Sequence, residues 1–134
     1  MNVVDSSGWL AYFSRSPNAG FFTPPIRDLD NLLVPAICLY EVFKRLLALR
    51  GEEAALTAAG VMALGAIVDV DHDTAISAAQ ISFETGLAMA DSMILAIART
   101  HDAILWTQDA DFDGLEKVRF VDPGSIRRRR KRKD

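Results

Sequence analysis

Five acids carry the chemistry this sequence is equipped for: Asp5, Glu41, Asp91, Asp109 and Asp111. Asp5 ends the apolar run Val3-Val4, and Asp109 follows the run Ala103 to Trp106 across Thr107 and Gln108. Both stand where a short buried strand empties into a loop. Ligands of open α/β sheets sit beyond the carboxyl ends of such strands, so acids there face a site rather than plain solvent. Glu41 and Asp91 lie near the starts of two helical stretches. Several carboxylates converging without a Lys or Arg among them repel and raise one another's pKa values, unless a cation neutralises them. Mg2+ is the cation such a set calls for, with Mn2+ as its substitute. Hard divalent ions take oxygen ligands, keep several waters and bind phosphate oxygens through their remaining positions. Paired ions of this kind serve in-line attack of water on a phosphodiester. No paired histidines or thiols suggest zinc instead.

Each acid also has a plain structural role when taken alone. Glu41 is spaced to pair with Lys44 and Arg45 on a helix surface, worth only ~0.3–0.5 kcal/mol. Asp91 suits a helix N-terminus, Asp5 a strand-ending turn, and Asp109 or Asp111 a loop closed on its own backbone. Only the joint pattern favours a shared site.

The elements that must bring these acids together are legible in outline. Asn2 to Val4 reads as a strand, followed by a helix capped by Ser6 or Ser7 and carrying Trp9, Leu10, Tyr12 and Phe13. Residues 14 to 25 read as a loop, with a short helix through Phe21 to Leu29 interrupted at Pro24-Pro25. Leu32 to Val34 is a second strand, and Pro35 stands where a helix can start. Residues 36 to 50 and 52 to 64 predict two helices in an antiparallel hairpin, separated by Gly51. Ala66 to Val70 is strand-like; Asp71, His72 or Asp73 caps a helix over about 74 to 85 that Gly86 closes. A further helix runs from Ala90 to about Thr100, then a strand over 103 to 107 and a short edge strand at Val118 to Val121. Strands alternating with helices predict an α/β fold, its mostly parallel sheet covered on both faces through right-handed crossovers. All strand C-termini then share one rim, which puts Asp5 and Asp109 side by side.

A chain of 134 residues is expected to form one domain, over residues 1 to 126. The net charge of −3 hides an asymmetry: residues 1 to 126 carry −9, and residues 127 to 134 carry +6. Arg127, Arg128, Arg129, Arg130, Lys131, Arg132 and Lys133 form a basic tail, expected to be flexible. Nucleic-acid binding draws on Lys and Arg, so the tail is a candidate RNA-binding arm for an acidic body. Its other readings are a solubilising segment or one folding back on that body. Cys38 is the only cysteine, which excludes an internal disulfide; it is expected to be a small core residue. The N-terminus lacks the features of a signal peptide, and no apolar run reaches the ~18 residues of a membrane span, so a cytoplasmic location is expected. His72 and His101 are expected as surface or helix-capping residues, and Trp9, Phe13, Phe43 and Trp106 in the core.

Four segments taken together show a family resemblance: Val-Val-Asp-Ser-Ser at 3 to 7, Leu-Tyr-Glu-Val-Phe-Lys at 39 to 44, Ala-Asp-Ser-Met-Ile-Leu-Ala at 90 to 96, and Thr-Gln-Asp-Ala-Asp-Phe at 107 to 112. Their order and spacing resemble the successive acid motifs of PIN-domain ribonucleases, nearest to VapC-like toxins of toxin-antitoxin pairs. The resemblance extends to about residue 122 and departs most between Ser14 and Asp30. It implies a three-layer α/β/α sandwich and a Mg2+-dependent endoribonuclease. Asp5, Glu41 and Asp91 match the three core acids, and Asp109 matches a fourth, more variable one. Asp111 is a further candidate metal ligand, while Ser6 and Thr107 match small hydroxyl positions that support the acids. The expected partners are an RNA substrate, a cognate antitoxin and a second copy of the chain as a homodimer. Alternatives are a catalytically silent module of the same shape that binds RNA or protein, and a receiver-like signalling domain. The latter needs a Lys after a late strand, and Lys117 follows no convincing one. A dehalogenase-like phosphohydrolase needs Asp-x-Asp after the first strand, and Asp5-Ser6-Ser7 fails that test.

Overall fold

A computed structural model of the protein describes residues 1–124, so the basic tail from Arg127 to Lys133 lies outside the described residues. Among these residues five strands, β1 (Asn2–Val4), β2 (Leu32–Pro35), β3 (Ala66–Val68), β4 (Ile104–Thr107) and β5 (Val118–Phe120), form one sheet in the order β3-β2-β1-β4-β5. Every pairing is parallel, with Val3 opposite both Leu33 and Leu105, and Val4 opposite Trp106. Among the described residues six α-helices flank the sheet: α1 (Ser6–Phe13), α2 (Ala19–Arg27), α3 (Ala36–Arg50), α4 (Glu52–Met62), α5 (His72–Thr85) and α6 (Met89–Thr100). The fold is therefore α/β, as the alternation of apolar runs predicts. The chain steps outward from β1 to β3, then returns to lay β4 and β5 on the other side of β1. That reversal opens a crevice between the ends of β1 and β4, the place where such sheets bind ligands.

The core is continuous across the sheet. Val3, Val4, Leu32, Val34 and Leu105 from the strands pack with Trp9, Phe22, Val42, Ile94 and Leu95 from the helices, all with almost no exposure. Cys38 is buried among them, as expected. Phe13, Phe43 and Trp106 are only partly buried at the edge of this core. Trp106 instead packs on Phe21, lies beneath the Arg119 guanidinium at 4.7 Å, and donates its indole N–H to Asn2 Oδ1 at 3.0 Å. No single helix among the described residues is long and apolar enough to cross a membrane.

Three local expectations need correction. The cap of α1 is Asp5, not Ser6 or Ser7: its Oδ1 accepts the Gly8 N–H at 2.9 Å, an arrangement a carboxylate favours at the positive end of a helix. Residues 19 to 27 form an uninterrupted α2 that contains both Pro24 and Pro25. Two prolines remove two backbone donors, yet Phe22, Pro25 and Ile26 are buried, and tertiary packing supplies most of the stability of short helices. Finally β3 stops at Val68 rather than Val70, being an edge strand whose Ala66 and Ile67 are exposed.

Gly8 sets how closely α1 approaches β1 and α2. A Cβ built there lies 2.6 Å from both a Val4 methyl and a Phe22 ring carbon, which leaves it no room. Gly8→Ala is expected to lower stability by about 1–3 kcal/mol, as overpacking of a full core does, and to push the Gly8 amide away from Asp5. Urea unfolding checks this; an unchanged midpoint would show that the helix can shift at no penalty.

Candidate active site

Asp5 leaves β1 in extended conformation and turns its carboxylate inward, where only 2% of the residue is exposed. Oδ1 accepts the Ser7 hydroxyl at 2.7 Å as well as the Gly8 amide, and Oδ2 accepts the Thr107 hydroxyl at 2.6 Å. Thr107, wholly buried at the end of β4, also accepts the Asp109 amide at 2.9 Å. Ser7 accepts the Gln108 amide at 3.3 Å. The ends of the two central strands are thus laced together through one carboxylate. Burial raises the Asp5 carboxyl from 3.8 to about 6; the hydrogen bonds from Thr107, Ser7 and Gly8 oppose the rise, and the charge of Asp109 adds to it.

Glu41 stands in the second turn of α3, and its Oε1 accepts the Ser6 hydroxyl at 2.6 Å. Among the described residues no ion pair joins Glu41 to Lys44 or Arg45, so the alternative role its spacing allows is not taken up. Asp91 lies in the first turn of α6 and is half-buried. Its carboxyl is also raised from 3.8 to about 6, first by burial and then by the charges of Asp109, Asp5, Glu41 and Asp111. The Cys38 thiol beneath is held well above its ordinary range by burial and by Asp5, Glu41 and Asp91. Every charge acting on Asp91 in this way is negative. The five acids therefore share one electrostatic neighbourhood.

Within it, Asp91, Asp109 and Asp111 each offer a carboxylate oxygen, and these oxygens lie within 4.8 Å of one another. Asp5 and Glu41 adjoin this triplet without belonging to it. Asp111 is brought in by a helical turn at Ala110–Phe112, whose Phe112 is fully buried and whose start is capped by Asp109 accepting the Asp111 amide at 2.9 Å. The plain roles of Asp5 and Asp109 as backbone caps are thus real and coexist with the cluster. An all-carboxylate donor set fits a hard divalent ion such as Mg2+ or Mn2+, and the mutual repulsion fits a site made to receive one. His72 begins α5 in solvent and His101 caps α6 with its ring on the Ile97 carbonyl; neither joins the acids.

Two supports escape a reading of the sequence. Ser7 holds Asp5 instead of capping α1, and the clue was a hydroxyl two residues past a strand-ending acid. Asn18, nearly buried, donates to Gln108 Oε1 at 3.1 Å and so ties the start of α2 to the loop bearing Asp109. Nothing in the sequence around Asn18 signals that tie.

The class so defined is an α/β protein with a five-stranded parallel sheet and carboxylates gathered at its reversal point, an arrangement suited to a cation. Residues 3–118 match the PIN domain family, and the chain belongs to that family. No curated protein sequence matches the chain. Among solved structures, a toxin-antitoxin complex from Klebsiella pneumoniae is 24% identical, aligned over 92% of this chain and 98% of that one with a TM-score of 0.71. VapC20 of Mycobacterium tuberculosis, described as a sarcin-ricin loop cleaving toxin, is 20% identical over 89% and 99% with a TM-score of 0.73. DNA-bound VapBC from Salmonella typhimurium is 17% identical over 92% and 99% with a TM-score of 0.70. At these identities the likeness is one of fold.

Proposed function

We propose that this chain is a Mg2+-dependent endoribonuclease acting as the toxin of a toxin-antitoxin pair. The observation that carries the proposal is the convergence on Asp91 of four further carboxylates, two of them close enough to share a cation with it. Membership of the PIN domain family supports it, as do fold neighbours described as toxins. Asp91, Asp109 and Asp111 would hold the ion, with Asp5 and Glu41 beside them, directly or through water. When bound, Mg2+ or Mn2+ supplies a Lewis acid for a phosphate oxygen and a means of activating water.

The chain's own part is positioning. Thr107, Ser7 and Gly8 fix both oxygens of Asp5, and Ser6 fixes Glu41, so the carboxylates meet a metal and substrate without reorganising. The substrate is single-stranded RNA, cut to leave 5′-phosphate and 3′-hydroxyl ends. Two protein partners belong to the same reading: an antitoxin that covers the acidic crevice, placing an Arg among the carboxylates, and a second copy of the chain. The protein works in the cytoplasm, and its basic tail from Arg127 to Lys133 adds sequence-independent attraction for RNA.

Calorimetric titration with MgCl2, paired with incubation of bacterial total RNA with and without EDTA, tests this. The native chain should bind Mg2+, Asp91→Asn should lose at least about tenfold in affinity, and EDTA should abolish cleavage. Metal binding without cleavage would favour the silent RNA- or protein-binding module. Undiminished cleavage in EDTA would end the metal assignment.

A further inference from the structure

Apart from its basic tail the chain has few cations with which to hold a polyanion, so those near the acids matter. Eight Lys and Arg residues fall within residues 1 to 124. Lys117 pairs with Asp102, Arg119 lies over Trp106, and Arg50 donates to the Phe13 carbonyl. Lys44 and Arg45 stand one turn beyond Glu41 on α3, both exposed, while Glu41 is turned to Ser6 and, among the described residues, no carboxylate pairs with either. With Tyr40 and Ala48 these three line a concavity of about 290 Å3. Tyr40 is 60% exposed, unusual for an aromatic side chain on a core helix, and the Lys44 ammonium lies 5.7 Å from its ring centroid. Arg45 also lines a second hollow, about 250 Å3, that reaches Gln108, the neighbour of Asp109. A flat aromatic face, two cations without an ion pair among the described residues and one of the clustered acids thus share a single depression beside the carboxylates.

We propose that Tyr40, Lys44 and Arg45 form a nucleotide subsite for single-stranded RNA. In it a base next to the scissile phosphate stacks on Tyr40, and Lys44 and Arg45 hold the adjoining backbone phosphates. Aromatic faces accept any base, and the small Ala48 leaves the depression open, so the subsite orients the strand without reading a particular sequence. This inference rests on the nuclease reading, because it assigns the strand's path through the same crevice. The three side chains are positioning groups rather than parts of the acid cluster.

The test is fluorescence anisotropy of labelled, short single-stranded RNA of randomised sequence, with Asp5→Asn as the background that keeps the RNA intact. Adding Lys44→Ala and Arg45→Ala should weaken binding about tenfold and reduce the slope of log affinity against log salt by about 1.4, or ~0.7 for each phosphate no longer neutralised. Adding Tyr40→Ala should weaken binding about tenfold with the salt slope unchanged, and Tyr40→Phe should restore it. In an otherwise native chain the same changes should raise KM and leave kcat nearly as it was. All three side chains are exposed, so unaltered circular dichroism should accompany these effects. If the native chain cleaves RNA while the variants keep their affinity and salt slope, the subsite is wrong and the nuclease reading stands. If the native chain cleaves no RNA and the Asp5→Asn background binds none, the nuclease reading falls and the subsite with it.

Discussion

Asp5→Asn is expected to reduce RNA cleavage by a factor on the order of 10² to 10³, the range for removing one preorganised charge-stabilising group, while the protein stays folded. Asparagine keeps much of what the Asp5 side chain does for the fold. Its carbonyl oxygen can replace Oδ1, still capping α1 by accepting the Gly8 amide and the Ser7 hydroxyl. Its amide nitrogen replaces Oδ2, so the Thr107 hydroxyl must turn round to accept where it had donated, losing a charge-assisted bond worth about 1.5–3 kcal/mol. Against that, asparagine removes a buried charge. A carboxyl raised from 3.8 to about 6 makes its ionised form unfavourable in the folded protein by roughly 3 kcal/mol. That figure is already net of the hydrogen bonds from Thr107, Ser7 and Gly8, so at pH 8 Asp5→Asn should be as stable as the native protein or slightly more so, and lost activity will not reflect lost structure. Asp5→Ala lacks any acceptor for the Gly8 amide and should unfold at lower urea concentration than Asp5→Asn. Retained cleavage by Asp5→Asn, or its collapse by circular dichroism, would contradict the role given to this residue.

What the sequence makes visible here is the strand ends. Val4-Asp5 and Trp106-Thr107 are abrupt changes from apolar to polar, and a parallel sheet turns each such change into a position on one rim. The relative order of the strands is less visible, because nothing in three-residue runs says which lies beside which. The structure puts β1 in the middle, and only that placement lets Thr107 reach Asp5. Glycines and caps at helix ends were readable where backbone geometry demands them: Gly86 closes α5 with φ of 78°, and Asp71 accepts the Thr74 amide at its start. By contrast the continuity of α2 through Pro24-Pro25 was hidden, since local propensity opposes a helix that distant partners bury. Gly8 was hidden with it, because the ring it must admit belongs to Phe22 of that helix. Asp111 was legible as a further candidate ligand, but its closeness to Asp91, fixed by a turn whose Phe112 is buried, is a tertiary fact.

The metal-free protein should become more stable as pH falls from about 8 to about 4, opposite to the usual behaviour of a carboxylate-rich surface. Asp5 and Asp91 both have folded-state values near 6 against 3.8 when exposed. Between those limits the folded chain holds more protons than the unfolded one, so unfolding releases protons and stability declines as pH rises. The stabilising contribution is fully present below 3.8 and gone above about 6. Asp5 supplies roughly 3 kcal/mol of this change, and half-buried Asp91 supplies less because solvent screens it. Asp71 and Asp102, exposed and held below their ordinary range by Thr74 and Lys117, act in the other direction but weakly. For a domain of this size the net effect in EDTA should be a rise in Tm on the order of 5–10 °C between pH 8 and pH 4.5. Mg2+ should reverse the trend, since protons compete for the same oxygens: it should raise Tm strongly at pH 8 and hardly at pH 4.5. Asp5→Asn should flatten most of the EDTA profile. A native Tm in EDTA that drops steadily on acidification, with Asp5→Asn following the same curve, would mean that these carboxylates are not held together against their charge.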